Sequence, residues 1–166
     1  LGAISASLFI VFYTGILMTY IVRLCGFPDS SFVFAAFILM VFANDTFAYI
    51  FGMLFGKNSR GIIAVSPNKS LVGFIAGFLC SIGVALLFGI FRPGVFHGSL
   101  AAAAVIGAVL GVTSICGDLA ESAMKRSAGV KDSGTIMLGR GGILDSIDSL
   151  LFSAPFFYYL LHFLYQ

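Results

Sequence analysis

The sequence predicts an all-α, polytopic membrane bundle of about five transmembrane helices. Three observations predict it: 60% of the 166 residues are hydrophobic, only 10% are charged, and mean hydropathy is +1.08. Soluble domains carry roughly 25% charged residues, so composition alone excludes an ordinary soluble globular fold. A net charge of +2 is also too small for a protein that binds nucleic acid by neutralising its backbone, and no nucleic-acid partner is expected. Cys25, Cys80 and Cys116 form no CxxC pair, which argues against both a disulfide framework and a thiolate metal site.

About 20 apolar residues are needed to cross a hydrocarbon core of roughly 30 Å. Five runs meet that length: Leu1 to Val22, Phe32 to Phe55, Leu71 to Phe91, Ser99 to Met124 and Ile143 to Leu164. Lipid offers no partner to backbone polar groups, so each run must be helical. Chain direction follows from the basic residues. Lys57, Arg60 and Lys69 follow the second run, Lys125, Arg126, Lys131 and Arg140 follow the fourth, and only Arg23 and Arg92 lie in the other connections. Positive charge is retained on the cytoplasmic side, which places the N-terminus and the two basic loops inside and the Pro28 and Pro93 loops outside. Because the sequence begins at Leu1 within an apolar run and has an odd number of spans, residues 1–166 are expected to be one transmembrane domain of a longer chain lacking its N-terminal helices. Glycines four apart, Gly52 with Gly56, Gly73 with Gly77 and Gly107 with Gly111, are read as helix-packing contacts.

The acids stand where acids are costly. Asp45 lies about 15 Å from the end of its run, where it must face protein, water or a cation. With Ala48, Tyr49, Gly52 and Gly56 it forms one polar, small-residue helix face, read as the wall of a wet cleft beside Asn44. The fourth run repeats the pattern with Gly107, Gly111, Ser114, Asp118, Ser122 and Lys125. Asp145 and Asp148 open the fifth run, three residues apart. A helical hairpin brings Asp118 and Asp145 to the same cytoplasmic mouth.

Two carboxylates held together in a poorly polar site call for a proton or a cation between them. Mg²⁺ suits such a site because it takes one or two carboxylates and completes its shell with water and phosphate oxygens. The intervening loop carries Lys125, Arg126, Lys131 and Arg140, and its glycines allow close backbone approach to an anion, the composition expected around a polyphosphate. Two alternatives remain open from the residues themselves. Asp118 pairs with Lys125, and Asp148 with Arg140, as ion pairs that only fix helices; or the intramembrane acids form the pathway of a cation or proton transporter. Glu121 and Asp29 are read as solvated or locally paired. His97 and His162 fall on the outward half. The Phe and Tyr residues are read mostly as lipid-facing bulk or interface anchors, as in Tyr158 and Tyr159.

Ser122 to Asp148, SAMKRSAGVKDSGTIMLGRGGILDSID, closely resembles the C-terminal signature of phosphatidate cytidylyltransferases, the CDP-diacylglycerol synthases. Ser122, Lys125, Arg126, Lys131, Asp132, Gly141, Gly142, Asp145 and Asp148 match it. Upstream, NDTFAYIFGMLFGK and SPNKS resemble further family segments and add Asn44, Asp45, Ser66, Pro67 and Lys69. Three positions depart: Arg140 stands where the family usually has His, Ser146 where it usually has Arg, and Val72 where it commonly has Glu.

The resemblance implies transfer of CMP from CTP to phosphatidic acid in a bacterial inner membrane, with the active site toward the cytoplasm. On that reading Asp118 and Asp145 hold Mg²⁺, Asp148 supports them or holds a second cation, and Lys125, Arg126 and Lys131 contact the polyphosphate. Lys69 holds the lipid phosphate, Asn44 and Asp45 line the inner cleft, and Ser66, Ser122, Asp132, Arg140, Gly141 and Gly142 complete the substrate-binding set. The family also implies pairing as a homodimer. A CTP-dependent polyisoprenol kinase is the nearest alternative enzyme.

Overall fold

The computed structural model describes residues 2–61, 63, 65–130, 133–134 and 142–166, and for residues 2–8 and 10 only the backbone. Lys131, Asp132, Arg140 and Gly141 therefore lie outside the described residues. Among the described residues five long helices form: α1 (Gly2–Arg23), α2 (Ser30–Phe55), α3 (Leu71–Phe91), α4 (Leu100–Ser127) and α5 (Leu144–Leu164). Each boundary falls within three residues of the expected one. Among the described residues the only extended pairing is an isolated antiparallel bridge between Arg60 and Ser70. Helices α2 to α5 are long and apolar enough to cross a membrane, and the chain is an integral membrane protein.

Local chemistry sets the helix starts. Ser70 Oγ accepts from the Gly73 amide at the start of α3, and Ser99 Oγ accepts from the Ala102 amide at the start of α4, each satisfying a donor that the first turn leaves free. Arg60 donates to the Gly52 carbonyl at 3.3 Å and bridges to Ser70, folding the α2–α3 connection back across the end of α2.

Helix α2 packs on α3, α3 on α4 and α4 on α5, while α2 also touches α4 and α5; α1 lies against α5. The buried centre holds Phe37, Met40, Leu110 and Phe157, with the Phe37 and Phe157 rings stacked at 5.2 Å. Phe37, Phe96 and Phe157 thus belong to the core rather than to the lipid face.

Small residues bring the backbones together, as their spacing predicts. A Cβ on Gly107 would lie 2.8 Å from both Ala85 Cβ and Ile82 Cα, so α3 and α4 touch at this residue. Buried hydroxyls secure the same seams. Ser81 Oγ donates to the Gly107 carbonyl at 2.9 Å, and Thr113 Oγ1 donates to Ser153 Oγ at 3.1 Å between α4 and α5. Such bonds stabilise helix association because hydrocarbon offers no alternative partner.

At one end of the bundle Arg23 lies over the Tyr20 and Tyr158 rings, and His97 meets Tyr165 edge-on. Tyr158 stacks on His162, and Tyr159 Oη is 3.2 Å from Tyr20 Oη. This aromatic and cationic girdle, which Asp29 adjoins, is distant along the helices from Asp118, Glu121, Asp145 and Asp148, consistent with an interface belt.

Gly107→Val should push α3 from α4 and cost about 1–3 kcal/mol, the usual range for overpacking a close contact. A lowered thermal midpoint of the purified protein in detergent checks this, with Gly15→Val, which has open space around it, as the control.

Candidate active site

The polar stripe expected on α2 lines a cavity of about 390 Å³ between α2, α3 and α4. Asn44, Asp45, Ala48, Tyr49 and Gly52 supply one wall, and Ser66, Lys69, Arg60 and Asp118 surround it. The α2 face expected to wall a cleft lines this cavity through Asp45, Ala48, Tyr49 and Gly52, beside Asn44. Gly56, which shares that stripe, is instead buried against Ser70.

Asn44 is 1% exposed and donates through Nδ2 to the Gly111 carbonyl at 2.9 Å. Its Oδ1 is buried without a hydrogen-bond partner among the described residues. Asp45 Oδ1 accepts from Ser114 Oγ at 3.0 Å, and Ser149 Oγ donates to the Ser114 carbonyl at 3.2 Å. Ser114 thus joins α2 to α4 and α5 beneath the cavity floor.

Asp118 does not pair with Lys125, so that expected ion pair is not formed, while the expected Asp148–Arg140 pair lies outside the described residues because Arg140 does. The Asp118 carboxylate is ion-paired with Lys69 across the cavity, where the side chains are 39% and 20% exposed. The pairing depends on the fold, because Lys69 belongs to the α2–α3 connection and Asp118 to the middle of α4.

Lys125 instead bridges two acids. Its Nζ is 2.5 Å from Glu121 Oε2, one turn earlier on α4, and 2.5 Å from Asp145 Oδ1 on α5. Glu121 is 1% exposed, so it is locally paired but not solvated; its Oε1 is buried and unpartnered among the described residues. Sequence reasoning missed its importance because a Glu four residues before a Lys resembles an ordinary surface pair. The available signal was that Glu121 falls three residues after Asp118 and four before Lys125, on the same helix face.

Asp145 has a second task. Its Oδ2 accepts from the Ser133 amide at 2.9 Å, Ser133 Oγ at 2.7 Å and the Gly142 amide at 2.6 Å. One carboxylate therefore gathers both flanks of the glycine-rich connection and fastens them to Lys125 on α4. Asp148, 6% exposed, accepts from the Ser149 amide at 2.7 Å and lies within electrostatic reach of Asp118, Glu121 and Asp45.

The acids form a chain of neighbours rather than one tight cage. Among the described residues no group of three or more His, Cys, Asp or Glu has the geometry to hold a metal ion unaided. The donors nevertheless suit a hard cation that shares its shell with substrate, since Mg²⁺ needs only one or two carboxylates. Ser122 is half-buried on α4, and Arg126 is exposed at its last turn. Val72 lines an apolar groove with Phe51, Ile75 and Leu79 rather than the polar cavity, so the family's Glu is replaced here outside that cavity's lining. Ser146 Oγ is buried and unpartnered among the described residues.

Asp145→Ala should release the Ser133 and Gly142 amides. Charge-assisted hydrogen bonds contribute about 1.5–3 kcal/mol each, so exchange of these amides with deuterium should accelerate about tenfold or more. Peptide-level hydrogen–deuterium exchange checks this, with α3 as the unchanged reference.

Comparison of the sequence with known proteins identifies a family. The cytidylyltransferase family profile matches residues 1–164. A phosphatidate cytidylyltransferase of Chlamydia trachomatis is 39% identical over 171 aligned positions, covering 97% of this chain and 55% of the relative. One from Staphylococcus saprophyticus is 45% identical over 117, covering 70% of this chain and 44% of the relative. An Escherichia coli relative, YnbB, described as uncharacterized, is 37% identical over 121 residues. The chain spans about half the length of the curated relatives it matches. With a profile match over nearly its whole length, the chain belongs to the cytidylyltransferase family.

Proposed function

We propose that this chain is the transmembrane catalytic domain of a phosphatidate cytidylyltransferase, transferring CMP from CTP to phosphatidic acid with release of pyrophosphate. The observation that carries this reading is the cavity in which Lys69 and Arg60 face Asp45 and Asp118 at one end of an apolar bundle. It offers cations for an anionic lipid head and acids for a metal, beside apolar helices that match acyl chains. The related proteins named phosphatidate cytidylyltransferase support the same substrates.

In the reaction an oxygen of the lipid phosphate attacks the α-phosphorus of CTP. A new P–O bond joins CMP to the lipid as the bond to the β-phosphate breaks, and the electron pair leaves on pyrophosphate. The attacking group is already anionic, so the demand is to bring two anions together and stabilise charge on the leaving group. Lys69 would hold the lipid phosphate, exchanging its contact with Asp118 for the substrate. Lys125, with Arg126 and Lys131 beyond it, would meet the polyphosphate, and Asp145 would keep the flanks of the glycine connection in place for it.

Asp118, Asp145 and Asp148 are the residues that would hold Mg²⁺, and the ion would supply charge neutralisation on the phosphates. Asp148 is the least engaged by other side chains. Of the two oxygens of Asp145, Oδ1 meets Lys125 and Oδ2 takes the Ser133 and Gly142 donors. The basic connections beside this mouth support a cytoplasmic orientation, and on the proposed reading the membrane is a bacterial inner membrane, with CTP supplied from the cytoplasm.

The test uses the full-length protein in detergent or liposomes with phosphatidic acid, Mg²⁺ and CTP labelled at the α-phosphate. Label should enter the lipid phase, and chelation of divalent ions should abolish the transfer. Asp118→Asn and Asp145→Asn should each lower turnover about 100-fold or more, the scale of losing a group that stabilises transition-state charge. Lys69→Met should raise KM for phosphatidic acid more than KM for CTP. Lipid labelled only from γ-labelled CTP would identify a kinase instead, and label unaffected by both Asp variants would refute the site.

A further inference from the structure

Two cations of the α2–α3 connection line the cavity, and one of them has no acid partner. Lys69 is ion-paired with Asp118, whereas Arg60 meets no carboxylate among the described residues. The backbone brings both to one mouth. Arg60 forms its antiparallel bridge with Ser70, the residue after Lys69, and the Gly61 amide donates to the Pro67 carbonyl at 3.0 Å. The two ends of the connection are thus joined beside the cavity.

The Arg60 side chain is held from behind. Its guanidinium donates to the Gly52 carbonyl at 3.3 Å in the last turn of α2, and that carbonyl also accepts from the Gly56 amide at 3.1 Å. A cation is favoured at this end of a helix, where the backbone dipole is negative. A guanidinium carries five N–H donors in a flat fork, so one bond to Gly52 fixes its place and leaves donors for an anion. Gly52 is itself part of the cavity lining. Tyr49 and Met53, both exposed, continue that wall onto the outer apolar surface of α2, so Arg60 stands where the cavity meets lipid.

Charge decides what such a site can recognise. A phosphate monoester carries a charge of about −1.5 to −2 at neutral pH and presents three acceptor oxygens. Lys69, on leaving Asp118, offers a single positive charge. Arg60 supplies the second, and its fork can take two oxygens at once, which an ammonium cannot do. A phosphodiester headgroup has less charge and one free oxygen fewer, so it gains less from the second cation.

We propose that Arg60 is a specificity-determining residue for the lipid: its guanidinium, anchored on the Gly52 carbonyl, takes the terminal phosphate monoester together with Lys69 and selects it over a phosphodiester headgroup. This deepens the transferase reading above and rests on it for the identity of the lipid. The Lys125 end of the site is left to the nucleotide.

The test uses the full-length protein in detergent. Binding of dihexanoyl phosphatidic acid and of dihexanoyl phosphatidylglycerol is measured by titration calorimetry without CTP, beside steady-state turnover. Arg60→Gln should weaken phosphatidic acid binding about tenfold or more, the scale of a lost hydrogen bond to a charged group, and leave phosphatidylglycerol binding near the parental value. The KM for phosphatidic acid should rise in step, while KM for CTP and the thermal midpoint stay near parental values. Arg60→Lys, which restores charge without the fork, should recover part of the lost affinity.

Equal losses for the two lipids, a KM change confined to CTP, or parental binding with a lowered thermal midpoint would overturn the proposal, the last by reducing Arg60 to a fastener of the α2 end. If the parent binds phosphatidic acid yet transfers no label from CTP, the transferase reading fails separately, and the comparison of the two lipids still decides the role of Arg60.

Discussion

The pairing of ionised side chains inside an apolar bundle is the constraint on which the rest of this structure depends. A lone carboxylate or ammonium at membrane depth is costly, and removing one member of a buried pair leaves the other uncompensated. Lys69 with Asp118, and Lys125 with Glu121 and Asp145, resolve this by joining different elements. The α2–α3 connection is tied to α4, and α4 to α5. Charge therefore acts here as a set of fasteners as well as a store of chemical function.

Under the proposed function the same fasteners would exchange partners. A lysine balanced by an acid would pair with an incoming phosphate instead, and the acid released would meet a divalent ion. Such a site would remain compensated before and after substrates arrive. That property suits a reaction that joins two anions at the edge of a low-dielectric slab. Backbone donors strengthen the arrangement, since Asp145 keeps its contacts to Ser133 and Gly142 whichever cation meets its other oxygen.

Close helix approach makes the pairing possible. Glycine and small hydroxyl residues fill the seams between α3, α4 and α5, so side chains such as Asn44 and Ser114 reach a neighbouring helix with short polar groups. Bulky apolar residues face outward from α2 and α3, where acyl chains take the place that core packing has in a soluble protein. One bundle end thus carries Asp118, Glu121, Asp145 and their lysines, and the other carries the aromatic girdle around Arg23 and Tyr165, with Asp29 beside it.

The helices were legible in the sequence because a run of apolar residues in lipid has only one way to satisfy its backbone; a helix formed at each of the five runs, and among the described residues α2 to α5 are long and apolar enough to span. The polar face of α2 and the small-residue seams were legible too, since helical spacing sets which residues share a face. Partner choice was not. Asp118 and Lys69 are far apart in the chain, and Lys125 stands within helical reach of several acids, so only packing of α3 against α4 and α4 against α5 selects among them. Glu121 looked like a solvated or locally paired charge; its burial is a property of neighbouring helices, which no local pattern encodes. Composition and periodicity therefore determined the elements and the inward faces, while tertiary structure decided which charges meet, because pair energies depend on distance and desolvation that arise only after the helices close.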